Sequence, residues 1–428
     1  MTFSESFSAP WSLRDLVDDI AAGRTDSAAA WERSAARITA TEDTLAAWVT
    51  RGPRPEFPTP SGPLGGVPLG VKDIIDVAGY PTRCGSALRG DSEPVAQDAE
   101  IVRLWRAAGA LPAGKTVTTE FAYFAPGPTR NPAAPDHTPG GSSSGSAAAV
   151  AAGQVPLALG SQTAASVTRP AAYCGVAALV MTRDLLPTTG VTGLAHSLDS
   201  HGYYAAQVRD LACAWAALRG VPDSSATSSR PPRVAFWAAA PLDAVQPVMA
   251  DAIAALRERL RADGATVTDF AAEQAVADTT AAHRVVMAYE AARTRATELA
   301  HADALSAPLA ELLRTGAATD RRDYDQACEI VARTRREVLD LFAGYDAVIG
   351  PAAPGPAPAG LAATGDPVLS RAWQALGLPV VTVPGLRTPQ GLPLGVQVIG
   401  PPQSEAALLR TASWIQARTT PIVDGRTS

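Results

Sequence analysis

Three short stretches hold the residues whose types could do chemistry together. TPGGSSSGSAAAVAAG (138–153) sets three consecutive serines between glycines, and no charged residue occurs from Thr138 to Thr168. VPLGVKDII (67–75) places Lys72 among valine, leucine and isoleucine. SQTAAS (161–166) ends on Ser166 behind two alanines. A lysine in apolar surroundings loses its charge readily, because desolvation penalises the ammonium. Its neutral amine is then a usable general base. Serine hydroxyls can relay a proton. A loop of small residues lets a substrate carbonyl approach backbone N–H groups, as oxyanion stabilisation requires.

Other readings compete for the same residues. Gly141–Gly145 matches GxSxG with Ser143 as nucleophile, but that elbow needs a strand directly before it. Here RNPAAPDHTPGG is a proline-rich loop. Glycines before a helix can hold an anion, yet no Gly-Lys-Ser/Thr follows. Taken singly, the serines are ordinary helix caps, Lys72 a strand-end lysine and Ser166 a loop residue.

The elements that must position these residues follow from periodicity and breakers. Helical spacing runs over 11–50, with a stop at Gly23, and a Pro/Gly-rich link follows at 52–66. GVPLGVKDIIDVAG reads as a strand carrying Lys72. AEIVRLWRAAGA (99–110) is an amphipathic helix, and ALPAGKTVTTEFAY a strand and loop. Residues 125–141 form a loop. A helix starts near Ser144–Ser146 and ends around Gly153, VPLALG is a buried strand, and SQTAASVTRP a loop. RVAFW (233–237), ATVTDF, DAVIG, LPVVTVPG and LPLGVQVIG are further strands. Helices cover 247–264, most of 272–343, and 404–417. This alternation predicts an α/β fold with a mixed, mostly parallel sheet covered by helices on both sides. No linker cuts the chain, so 1–428 is one large domain.

Composition narrows the function. The 428 residues are 46% apolar, with a formal charge of −6 and no basic block, which argues against nucleic-acid binding. Cys84, Cys174, Cys213 and Cys328 form no CxxC pair, so neither a zinc or redox motif nor a disulfide framework is expected. His137, His196, His201, His283 and His301 form no HExxH or HxH cluster, and no metal or cofactor is expected. The N-terminus carries no secretory pattern. The longest uncharged stretch contains serines, Gln154 and Gln162, which suit a protein interior and not a bilayer. A cytoplasmic location without membrane contact is the expectation.

Taken in order, several segments resemble the amidase signature family of serine hydrolases. They are GGVPLGVKDIIDVAG, GKTVTTEFAY, GPTRNP, TPGGSSSGSAAAVAAG, GSQTAASVTRPAAYCGV, SLDSHG, LGLPVVTVPG and GLPLGVQVIG. The resemblance spans most of 55–415 and is densest at 65–200. It implies a helical wrap at 1–55, a signature core at 65–200, and further sheet, helices and pocket loops over 205–428. It also implies a Ser–Ser–Lys triad: Lys72 as base, Ser142 as bridging serine behind a cis peptide bond, and Ser166, 24 residues further on, as nucleophile. Backbone N–H groups of Thr163, Ala164, Ala165 and Ser166 would form the oxyanion hole. Ser143, Ser144 and Ser146 are left to cap the helix and satisfy loop groups. Pocket walls are expected from Phe121, Ala122 and Tyr123, from Gln162 and Arg169, and from a 354–373 loop containing Trp373. His196 and His201 would edge the pocket, while Asp199 and Cys174 are structural. Arg169 either holds its loop or meets a substrate carboxylate.

The implied reaction is cofactor-free hydrolysis of a carbon–nitrogen bond beside a carbonyl, through an acyl-enzyme. The substrate is a small amide, anilide, carbamate or biuret-like molecule, or an ester, and the protein a monomer or homodimer. Two other readings are a glutaminase-type subunit of a tRNA-dependent amidotransferase and a catalytically silent scaffold. The chain departs from the family pattern in three places. Ala164-Ala165 replace a glycine pair, Gln162 stands where many members carry Asp, and Ala178–Thr182 lacks the usual lysine and proline.

Overall fold

A computed structural model describes residues 7–53, 62–223 and 230–419; most of the expected 52–66 link lies outside them. Short runs of small and β-branched residues with little polar alternation become strands, as expected for a sheet covered on both faces. These are β1 (Trp48–Arg51), β2 (Pro68–Lys72), β3 (Leu111–Thr116), β4 (Leu157–Gln162), β5 (Ala177–Val180), β6 (Ser200–Ala205), β7 (Arg233–Phe236), β8 (Thr266–Asp269), β9 (Ala347–Pro351), β10 (Val380–Arg387) and β11 (Pro393–Ile399). They form one sheet in the order β1-β3-β2-β4-β6-β5-β10-β11-β9-β7-β8.

The α/β architecture is the expected one, and the sheet is mixed. Its parallel pairings fall in two blocks, β3-β2-β4 and β9-β7-β8. The other six pairings are antiparallel, a smaller parallel share than expected. The reason is local in part: only five residues join β10 to β11, too few for the crossover that parallel strands need.

The parallel block β3-β2-β4 places the candidate chemistry. Val71 pairs with Leu159, so Lys72 at the end of β2 lies beside the last residues of β4. The loop carrying Thr163–Ser166 leaves from that same end. Carboxyl ends of strands are where open α/β sheets gather ligand-binding loops.

Several boundaries differ from expectation. The N-terminal helices are Leu13–Ala21 and Ser27–Leu45. The segment Trp48–Arg51, read as helical, is an edge strand. Ala46 turns the chain in a left-handed conformation, and Glu42 Oε1 accepts from the Trp48 amide at 2.8 Å. After Lys72 the chain leaves the sheet at once, with the Ile74 and Ile75 amides on the Lys72 carbonyl. Ser161 and Gln162 extend β4, and the helix Thr168–Cys174 begins inside the expected loop and runs past its end. Strands β5 and β6 and the helix Val208–Arg219 had no counterpart in the sequence reading. No helix among the described residues is long and apolar enough to cross a membrane.

Candidate active site

Lys72 is fully buried at the end of β2. Its Nζ donates to Ser142 Oγ at 2.7 Å and to Ser161 Oγ at 2.9 Å, with the Ser161 carbonyl at 3.4 Å. Burial without an ion-pair partner pushes its pKa from 10.5 down to about 7, against weaker opposing effects of Asp199 and Cys84. Lys115 offers the contrast. It is equally buried, but its Nζ lies 2.9 Å from Asp73 Oδ1 and donates to Thr82 Oγ1 at 3.0 Å. Of two neighbouring buried lysines, only Lys72 lacks a carboxylate.

The serine cluster divides its duties. The Gly141–Ser142 peptide is cis. Arg169 Nη2 donates to the Gly141 carbonyl at 2.7 Å, and the Thr119 amide donates to the Ser142 carbonyl. Ser143 has no strand before it, and its Oγ is engaged by the Ser161 backbone at 3.3 and 3.4 Å. The helix that the elbow requires follows at Ser144, but the strand before it is missing. The expected capping role fails: Ser143 makes no side-chain cap bond to the helix Ser144–Ala151. Ser144 and Ser146 instead tie that helix to the sheet and its exit loop. Ser146 Oγ donates to the Leu159 carbonyl at 2.7 Å, and Ser144 Oγ reaches the Val117 carbonyl at 3.5 Å. Gly145 is required by close approach, since a Cβ there would sit 2.2 Å from the Ala47 carbonyl oxygen.

Ser166 is 7% exposed, and its carbonyl accepts from the Ser143 amide and from Tyr204 Oη at 3.1 Å. Its hydroxyl makes no hydrogen bond among the described residues. It lines a small cleft with Ser142, Ala164, Ala165, Arg169, Tyr123 and Phe124. The amides of Thr163, Ala164, Ala165 and Ser166 donate to no protein acceptor among the described residues. The loop that presents them is held from three sides. Gln162 Oε1 accepts from the Val167 and Thr168 amides at 2.8 and 3.0 Å. Asp199 bonds the Thr163 hydroxyl and accepts from the Leu194 and Ala195 amides. His283 Nε2 lies 2.8 Å from the Thr163 carbonyl. Burial and the nearby Arg371 push the His283 pKa down to about 3. The ring is therefore neutral: Nε2 donates to Thr163, and Nδ1 accepts from Arg371 Nη1 at 3.2 Å.

The expected pocket walls are only partly correct. Ala122 and Tyr123 line the cleft, joined by Phe124 and Met287. Phe121 does not. It is fully buried in the core beneath the guanidinium groups of Arg89 and Arg295. The cause is the turn itself, because Phe121, Ala122 and Phe124 all have positive φ, which redirects their side chains. Trp373 is also core. It sits in the helix Val368–Ala375, not in a loop, and packs edge-on against Trp237 and Phe270. Gln162 is spent on its hydrogen bonds and is absent from the cleft wall. His196 and His201 border a second cavity of about 250 Å³, which shares Ala122, Thr163 and Leu194 with the cleft.

Sequence reading missed Ser161 as the second hydroxyl on Lys72, and His283 as a support of the 163–166 loop. Ser161 was within reach, since it lies in the quoted SQTAAS segment. His283 stands alone on a long helix, with no local signal.

A buried lysine with its pKa lowered to about 7 is hydrogen-bonded to a serine beside a loop whose amides donate to no protein acceptor among the described residues, an arrangement that suits a hydrolase of the amidase signature class. Comparison with known proteins agrees. The chain belongs to the Amidase family, whose model matches residues 29–409. It is 33% identical over 417 residues to a glutamyl-tRNA(Gln) amidotransferase subunit from Treponema pallidum, covering 83% of this chain and 82% of that protein. It is 34% identical over 387 residues to the putative amidase AmiB2 of Mycobacterium bovis, with 83% and 82% covered. Among solved structures, one described as a vestigial protein complex revealing the evolutionary origins of an s-triazine catabolic enzyme superposes with a TM-score of 0.84 at 29% identity. That match covers 95% of this chain and 98% of the other.

Proposed function

We propose that this chain hydrolyses a carbon–nitrogen bond beside a carbonyl in a small amide, carbamate or urea-like substrate, through an acyl-enzyme on Ser166. The observation that carries the reading is the buried Lys72 amine, near pKa 7 and hydrogen-bonded to Ser142 Oγ, beside four backbone amides without acceptors among the described residues. Neutral Lys72 takes the Ser142 proton as Ser142 takes that of Ser166. Ser166 Oγ adds to the carbonyl carbon. The oxyanion accepts hydrogen bonds from the 163–166 amides, a contribution of about 3–4 kcal/mol per donor in comparable sites. Collapse expels the amine, which recovers the proton through Ser142. Water then cleaves the acyl-enzyme by the same relay.

One further reading has specific support: the 33% identity to an amidotransferase subunit favours a glutaminase partnered with other subunits. A panel of anilide, aliphatic amide, aryl carbamate, ester and glutamine separates the two. It is measured on the wild type beside Ser166→Ala, Lys72→Ala and Ser143→Ala, each checked for folding. The proposal expects the first two variants to be inactive and Ser143→Ala to retain turnover. Strict glutamine dependence supports the subunit reading. An active Ser166→Ala overturns both.

A further inference from the structure

Beyond the cleft at Ser166, a cavity of about 640 Å³ opens between the 121–126 turn, the helix Glu273–Thr294 and the helix Val368–Ala375. Tyr123, Phe124 and Met287 line both spaces, so the two share a wall. The shared wall is largely apolar, but its cationic groups are unusual. Arg371 is 8% exposed, and its Nη1 is bonded only to the neutral His283 ring. Arg284 lies on the same cavity, exposed. Arg169 is 3% exposed on the cleft side, and its Nη2 is used by the Gly141 carbonyl and Thr364. Its Nε and Nη1 are buried without a hydrogen-bond partner among the described residues, and the guanidinium lies 5.8 Å from the centre of the Phe124 ring.

Among the described residues no carboxylate comes within ion-pair distance of these three guanidinium groups; Arg169 is attracted first by Tyr173 and Arg371 by Tyr123, with Asp366 the one carboxylate acting on both at longer range. Asp366 is exposed and accepts from the Val368 amide. Glu311, also on the cavity, is exposed and takes a hydrogen bond from Thr315. Arg284 and Arg169 both repel Arg371, which burial and this repulsion bring down to about 10. Buried arginines are ordinarily paired, since an isolated buried charge is costly. Here Arg371 has no carboxylate partner among the described residues, and it lines one cavity together with Arg284.

We infer that Arg371 and Arg284 form an anion subsite that selects substrates carrying a carboxylate on an arm extending from the scissile carbonyl across Tyr123 and Phe124. This deepens the proposed function and rests on it for placing the carbonyl at Ser166. The planar fork of arginine fits a carboxylate with two parallel hydrogen bonds.

The test has two arms. In the first, hydrolysis of a carboxylate-bearing amide is compared with its neutral methyl-ester counterpart at the far end, on the wild type, Arg371→Gln, Arg371→Lys and Arg284→Gln. Arg371→Gln should raise the ratio of KM for the anionic amide to KM for the neutral one by roughly tenfold or more, while the lost bond to His283 affects both substrates alike. Arg371→Lys should recover part of that loss, and Arg284→Gln, an exposed substitution, should show a smaller rise. Equal KM values for both substrates across all four proteins overturn the inference and leave the hydrolase reading intact. In the second arm, succinate and inorganic phosphate are titrated onto catalytically disabled Ser166→Ala by calorimetry. Succinate binding that weakens in Ser166→Ala/Arg371→Gln supports the subsite even if no panel substrate is turned over. Phosphate binding more tightly than succinate overturns the carboxylate assignment, and no binding of either overturns the subsite.

Discussion

Replacing Lys72 by methionine should change how stability depends on pH. Lys72 is fully buried, and its folded pKa is about 7 against 10.5 for an ordinary lysine. Between those values the unfolded chain holds a proton that the folded protein has released. The unfolded state binds more protons there, so wild-type stability rises with pH across that window. For two such pKa values the linkage penalty on folding is about 4 kcal/mol at pH 7 and about 2 kcal/mol at pH 9. Methionine fills a similar volume and does not titrate. The variant also loses hydrogen bonds to Ser142 and Ser161, which sets a fixed offset but no slope. The stability difference between variant and wild type should therefore shift by about 2 kcal/mol in favour of the wild type from pH 7 to pH 9. Urea unfolding of both proteins at pH 7, 8 and 9 gives the difference from midpoints and slopes. A difference constant to within about 0.5 kcal/mol would mean that Lys72 keeps its proton in the fold, and the assignment of a neutral base would fail.

The same neutral amine predicts that kcat/KM climbs with pH through a value near 7 and then levels, which a pH–rate profile on any accepted substrate reads directly. Lys115→Met strands Asp73 in the interior and should cost about 3–5 kcal/mol in urea unfolding, while Lys115→Met/Asp73→Leu recovers much of it. Trp373→Ala should lose about 3–5 kcal/mol of stability yet leave KM of the folded fraction near the wild-type value, because the indole lies in the core.

What could be read from the sequence was what the chain keeps local. Lys72 sits in an apolar run that declares its burial, whereas Ser142 and Ser166 read singly as a cap and a loop residue and were joined to it only by the family resemblance. The parallel β3-β2-β4 block then brings the three segments to one edge. What could not be read depends on partners far along the chain. Gln162 looked like a pocket residue until the amides of Val167 and Thr168 were found on its oxygen. His283 supports Thr163 from 120 residues away. Trp373 looked like a loop aromatic because the proline-rich stretch before it hides the short helix that turns it inward. Phe121 was misplaced for a different reason: left-handed backbone at a bulky residue has no signature in residue type.

The most direct test of the central claim is to locate the covalent intermediate. The wild type, Ser166→Ala, Ser143→Ala and Lys72→Met are each treated with a fluorophosphonate, followed by intact-mass and peptide mass spectrometry. One adduct on Ser166 is predicted in the wild type and Ser143→Ala, none in Ser166→Ala, and greatly slowed labelling in Lys72→Met. An adduct on Ser143 or Ser142, or full labelling of Ser166→Ala, would contradict the account.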